Sequence, residues 1–126
     1  MNYQELCAEV QSVAREAGGF IRGERQKISA RDVETKSTAS FVTYVDKTSE
    51  AMIVEALHKL LPEAGFVTEE GTATNRGQRF DWVIDPLDGT TNYIHGIFPC
   101  SVSIGLLEAG RPVMGVVLEL GLNELF

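Results

Sequence analysis

Two carboxylates three residues apart, Asp85 and Asp88, bracket Pro86-Leu87 and lead into Gly89-Thr90-Thr91-Asn92. Such a pair suits a hard divalent cation, which prefers oxygen donors and takes only one or two carboxylates per ion. Pro86 fixes the backbone, so that both carboxylates and the Leu87 carbonyl converge on one side of a turn. Gly89 lets a ligand approach the main chain closely. A helical turn starting there would offer free N–H groups to an anion. Glu69 follows the apolar run Phe66-Val67 and supplies a third carboxylate if its strand lies beside Trp82-Val83-Ile84. Phosphate-ester hydrolysis needs a nucleophilic water, charge stabilisation on the phosphoryl oxygens and help for the leaving oxygen, all of which bound magnesium supplies. Asp-Pro-x-Asp-Gly is also a good β-turn that binds nothing, and spacing alone leaves both readings open. A calcium EF-hand is excluded: Leu87 stands where a ligand is needed, and no Glu closes a loop of the required length.

These residues must be held by the elements around them. Apolar residues recur at spacings of three and four from Leu6 through Val10, Val13 and Ala17 to Ile21, which predicts an amphipathic helix from Tyr3 to about residue 26. Gly18-Gly19 is its weak point, able to bend or shorten it. Residues 27–40 are polar, without helical period, and read as a loop or weak hairpin carrying Lys36. Phe41–Asp46 reads as extended. Thr43 and Asp46 have capping-box spacing for a second helix that runs to Leu61 and stops at Pro62. His58 falls on a solvated helix face. Gly65–Gly71 reads as a short strand, 72–79 as a polar loop, and Trp82–Ile84 as a strand entering the polar turn. Tyr93–Gly96 continues one helical turn. Ser101–Leu106 and Val113–Leu120 alternate as the two arms of a β-hairpin, and Glu124–Phe126 starts a third strand. A strand starting at the last residues suggests a piece of a longer polypeptide.

Composition bounds the function. Of 126 residues, 44% are hydrophobic and 23% charged, as in an ordinary globular domain. The net charge of −7 argues against a nucleic-acid binder, which needs a basic face. The acidity is uneven: residues 66–126 carry eight acids against three bases. Bound cations would offset that repulsion. The N-terminus lacks the basic and apolar regions of a secretory signal, and no apolar run approaches the roughly 20 residues that span a bilayer. Cys7 and Cys100 lack metal or redox spacing and read as reduced thiols. These features predict a cytoplasmic protein with no membrane or nucleic-acid partner.

Phe66-Val67-Thr68-Glu69-Glu70 and Trp82-Val83-Ile84-Asp85-Pro86-Leu87-Asp88-Gly89-Thr90-Thr91-Asn92-Tyr93-Ile94-His95-Gly96 resemble the inositol monophosphatase family of lithium-sensitive, magnesium-dependent phosphatases. Phe41-Val42-Thr43 with Asp46 resembles its upstream motif, and the hairpin is similar too. Thr68 and Ser40 depart from the family, standing where a Gly and an Asp are usual. The resemblance implies an α+β fold, two helices packed on a mainly antiparallel sheet, as the N-terminal part of a layered αβαβα sugar-phosphatase fold. The whole of 1–126 would be the metal- and phosphate-binding part of a domain about twice as long.

Residue by residue, the resemblance implies that Glu69, Asp85 and the Leu87 carbonyl bind one magnesium, with Asp85 shared with a second ion that Asp88 also binds. Two or three ions occupy the complete site. Glu69 and Thr90 position or activate the attacking water, with Asp85 as a further catalytic residue. Asp88, Gly89, Thr90 and Thr91 hold the substrate phosphate. Lys36 lies in a mobile loop over the site, and Glu70 supports the ligands from behind. The expected activity is hydrolysis of a small phosphate monoester, inositol monophosphate first, by direct water attack in a homodimeric full-length protein. The fragment alone is expected to be inactive. Two alternatives stay open: a phosphatase of fructose bisphosphate, 3′-phosphoadenosine phosphate or histidinol phosphate, and a non-catalytic interaction protein.

Overall fold

The computed structural model describes residues 2–27, 36–69, 71, 75–89, 93 and 100–126, for 36–41 the backbone alone. Helix α1 spans Tyr3–Arg25 and helix α2 Lys36–Leu60. Five strands follow: β1 Gly65–Thr68, β2 Phe80–Asp88, β3 Ser101–Glu108, β4 Arg111–Glu119 and β5 Glu124–Leu125. They form one sheet in chain order, with β1 parallel to β2 and every later pair antiparallel. Both helices lie on one face, α1 over β3 and β4 and α2 over β2. The expected α+β arrangement is what the chain forms.

Alternation along the strands builds the core. Phe80, Trp82 and Ile84 of β2, Val102, Ile104 and Leu106 of β3, and Val116 and Leu118 of β4 are buried under the helices. Val10, Ala14, Ala17 and Ile21 of α1 meet them from above. Asn2 caps α1, its side chain accepting from the N–H groups of Gln4 and Glu5 at 3.0 and 3.1 Å. The helix runs unbroken through Gly18-Gly19. Gly18 is there for contact, since a Cβ on it would lie 2.7 Å from Leu118 Cδ2. The β3–β4 hairpin turns through Ala109-Gly110, both at positive φ, as the twist of a tight hairpin requires. Cys7 and Cys100 are free thiols, and burial pushes Cys100 up to about 11. His58 is exposed, as its helix face suggests.

Two local expectations are corrected. The segment read as a loop through 40 and an extended piece to Asp46 is helical from Lys36 on. Val42, Thr43 and Val45 carry strand propensity, yet Val42, Val45, Ser49, Ile53 and Leu57 form one buried stripe at helical spacing. Burial of that stripe overrides the propensity of its members. Thr43 is therefore an exposed mid-helix residue and not a cap. The second correction concerns Asp85–Asp88, which is not a free turn. It continues β2, and the pairing skips between Asp85↔Ser103 and Asp88↔Ser101. Two residues on β2, Pro86 and Leu87, thus stand against Val102 alone on β3, a bulge that accommodates Pro86, which has no N–H to give the ladder.

Candidate active site

Parallel pairing of β1 with β2 sets the site. Thr68 lies beside Ile84, so Glu69, just past the end of β1, comes level with Asp85 on the neighbouring β2. The carboxyl ends of parallel strands are where open α/β sheets collect ligands. Glu69 is exposed just beyond β1, Asp85 is half-buried in β2, and Asp88 is exposed at the end of β2. Leu87 is 3% exposed, so its side chain anchors the bulge in the core while its backbone N–H bonds to the Asp85 carboxylate.

Asp85 is the electrostatic centre. Its Oδ1 is buried with no hydrogen-bond partner. Among the described side chains that condition is shared with Trp82 Nε1, which belongs to the core face. Burial first, and then the negative charges of Glu69, Asp88 and Glu50, raise the Asp85 carboxyl to about 6 against the Leu87 N–H. Glu50, fully buried on α2, was not singled out in the sequence. It stands 35 positions before Asp85, and only the packing of α2 over β2 brings it into the same field.

Three carboxylates thus act on the Asp85 carboxylate and its buried oxygen. No three His, Cys, Asp or Glu side chains among the described residues close into a cage around a metal position. A cation at this end of the sheet would relieve the crowding of like charge on Asp85.

The chain then turns through Gly89 at φ 88°. Its carbonyl accepts from the Tyr93 N–H at 2.9 Å, the spacing of one helical turn. Tyr93 ties that turn to α1. Its hydroxyl donates to the Ile21 carbonyl at 2.8 Å, its carbonyl accepts from Arg25 Nε at 2.7 Å, and the side chain is 2% exposed. Burial raises the Tyr93 hydroxyl, which stays protonated and able to donate. This anchor was read in the sequence only as part of a helical turn. Thr90, Thr91 and Glu70 lie outside the described residues. Lys36 is the first residue of α2 rather than part of a loop, and its side chain lies outside the description.

Asp81, at the other end of β2, serves a different purpose. Its carboxylate accepts from the Gly77 N–H at 2.7 Å and from Arg76 at 3.1 Å, and pins the loop before β2. The Arg76 guanidinium holds it below the usual carboxylate range.

The sequence model of the inositol monophosphatase family matches residues 2–126. Over 110 residues the chain is 43% identical to a protein of Aquifex aeolicus named fructose-1,6-bisphosphatase/inositol-1-monophosphatase, covering 86% of this chain and 42% of that one. The Nus factor SuhB of Escherichia coli is 40% identical over 114 residues, covering 90% of this chain and 43% of its own. The inositol monophosphatase of Anabaena superposes with a TM-score of 0.81 at 34% identity, over all of this chain and 44% of that one. The staphylococcal SaIMPase-II has been solved with inositol monophosphate bound and with 2′AMP bound, and superposes with a TM-score of 0.78 in both states at 27% and 28% identity. It matches 98% and 96% of this chain, and 44% of its own in each state. The chain spans less than half the length of each of these proteins.

Proposed function

The chain belongs to the inositol monophosphatase family, and from that membership we propose that it carries the metal and phosphate wall of a magnesium-dependent phosphatase of small phosphate monoesters, inositol monophosphate first among them. The observation that carries the reading is the buried Asp85 oxygen without a hydrogen-bond partner, crowded by Glu69 and Asp88 at the strand ends and by Glu50 on α2. A protein without a cation to bind gains nothing from that crowding.

In this reading Glu69, Asp85, the Leu87 carbonyl and Asp88 hold magnesium, two or three ions in the complete protein. When bound, magnesium neutralises phosphoryl charge and makes a nearby water more acidic. The chain's own part is placement. The N–H groups that follow Gly89, those of Thr90 and Thr91, hold the phosphate, and Tyr93 keeps their turn fixed against α1. Glu69 and Thr90 orient the water for in-line attack on phosphorus. The P–O ester bond breaks, and the water's proton ends on the leaving alcohol, with no phosphoenzyme. Lys36 at the start of α2 is the candidate cation over the site. The relatives are more than twice as long, so the specificity wall, a homodimeric assembly and lithium sensitivity belong to the complete protein. A cytoplasmic location belongs to the same reading. Among the described residues no helix is long and apolar enough to cross a membrane.

A second reading is a non-catalytic interaction role, favoured by relatives named as Nus factors at 40% identity. Fructose bisphosphate and adenosine phosphates are rival substrates, supported by the name of one relative and the ligand of another. One experiment separates the classes. In the full-length protein, Asp85→Asn should abolish magnesium-dependent release of phosphate from inositol monophosphate. Undiminished hydrolysis by that variant, or no hydrolysis of any monoester by the wild type, overturns the proposal. The 126-residue chain alone should bind magnesium without turnover.

A further inference from the structure

The outer surface of the helical layer carries a feature that phosphate chemistry does not use. Two hollows of about 470 and 310 Å³ lie along the seam between α1 and α2 and share Glu9 and Leu60 in their walls. Together they form one groove from Asn2 to Glu16. Its floor is apolar, from Val13, Met52, Ala56 and Leu60. Met52 is 36% exposed, a flexible thioether facing water.

Its walls are acidic. Glu5, Glu9 and Glu16 line the α1 side and Glu55 the α2 side. The cation among the described lining residues is Lys59, held 3.5 Å from Glu55. Among the described residues none of Glu5, Glu9 and Glu16 has a cationic partner in an ion pair. Glu5 and Glu9 stand four apart on one helix, a like-charge spacing that works against the favourable place of Glu5 in the first turn. Away from the groove, Glu24 near the C-terminus of α1 is paired with Lys27, just beyond the helix, at 2.9 Å. A local rule broken beside an apolar hollow marks a surface shaped for something other than stability.

We propose that this groove docks a basic amphipathic helix of a partner protein. The distance from Glu5 to Glu16 is about 16 Å along α1, the length of three helical turns. A partner helix of that length would lay an apolar stripe on the floor and direct Lys or Arg to both acidic walls. Charge complementarity selects this occupant. A second copy of the chain would set acidic walls against acidic walls, with −7 on each molecule. Nucleic acid is repelled for the same reason.

The test uses a peptide of about 14 residues with Leu at i, i+3, i+4 and i+7 and Lys elsewhere, beside a scrambled peptide of the same composition. Binding to the 126-residue chain is read by fluorescence anisotropy at low and high salt, and its position by the NMR signal of the Met52 methyl. The patterned peptide should bind at least tenfold more tightly than the scrambled one and shift the Met52 signal. Glu9→Lys/Glu16→Lys, both exposed sites, should weaken it at least tenfold with the urea midpoint kept. Equal binding of the two peptides, unchanged binding to the double variant, or no binding overturns the proposal. So does self-association of the chain that Met52→Asp abolishes, which would make a second copy the occupant.

Discussion

Asp81 and Asp85 lie four residues apart on one strand and, by the two-residue period of a strand, project from the same face. They have the same side chain and opposite environments. Asp81 is 7% exposed and satisfied by the Gly77 N–H and Arg76, which hold its carboxyl below the ordinary range. Asp85 has a buried oxygen without a partner, and burial with three neighbouring carboxylates raises it to about 6. One carboxylate is spent on the fold. The other is made costlier to ionise by the fold, and among the described residues no cation is paired with it. The contrast sets a satisfied carboxylate against an unsatisfied one within a single strand.

The largest effect should come from removing the strained member. Asp85→Asn deletes the buried charge while keeping the shape. Its magnesium affinity, measured by titration calorimetry, should fall on the order of 100-fold, a ligand counting for at least as much as the outer partners of a metal site. The apo chain should be no less stable than wild type in urea, because a crowded charge is gone. Retained affinity, or a marked loss of apo stability, would erase the distinction between the two aspartates.

Asp81→Ala should behave in reverse. It leaves the Gly77 N–H without its acceptor and Arg76 without its partner. Arg76 is largely exposed and its ion pair contributes little, so the part-buried Gly77 N–H dominates a loss on the order of 1 kcal/mol. Urea denaturation with and without magnesium should give that loss equally, and magnesium affinity should be unchanged.

Glu69→Gln and Asp88→Asn sharpen the comparison more gently. Each removes one of the like charges acting on Asp85. Each should weaken magnesium binding about tenfold, the smaller part of a multi-ligand site. Each should also move the Asp85 titration, followed by carboxyl-carbon NMR, down toward its ordinary value. An Asp85 titration that stays in place in both variants would leave burial and Glu50 as the causes.

Much of this was legible in the sequence where periodicity and burial agree. The α1 stripe and the alternating arms of β3 and β4 emerge as read. Glu69 could be grouped with Asp85 and Asp88 because Phe66-Val67 and Trp82-Val83-Ile84 both read as strands leading into them. Legibility failed where local chemistry and tertiary packing conflict. Val42, Thr43 and Val45 have the propensities of a strand, and only the burial of Val42 and Val45 together with Ile53 makes them helical. Pro86 looks like a turn former, yet the bulge keeps it inside β2. The division of labour between Asp81 and Asp85 was invisible, because it depends on Arg76 folding back across a loop and on Glu50 arriving from α2. Tyr93 was equally hidden, its partners Ile21 and Arg25 lying about seventy residues away in sequence.

The smallest effect is the dependence of stability on pH, where the two aspartates should tilt the curve in opposite directions. Asp81 titrates below its ordinary 3.8 in the folded chain, so the unfolded chain binds the proton first as pH falls. Its contribution is present above about 4 and lost in more acid solution. Asp85 titrates at about 6 when folded and near 3.8 when unfolded. Between those values the folded chain holds more protons, so stability falls as pH rises from about 4 to 6. Asp85 is only half-buried, and screening reduces its share to on the order of 1 kcal/mol. Asp85→Asn should flatten the decline between pH 4 and 6, and Asp81→Asn should flatten the loss below pH 4. Saturating magnesium should reverse the slope in the upper window, because the ion binds the ionised carboxylate and competes with the proton. Urea midpoints across pH 3–7, with and without magnesium, measure all three. A magnesium-independent slope between pH 4 and 6 would mean that the raised carboxyl of Asp85 is a cost of packing and has no bearing on a cation.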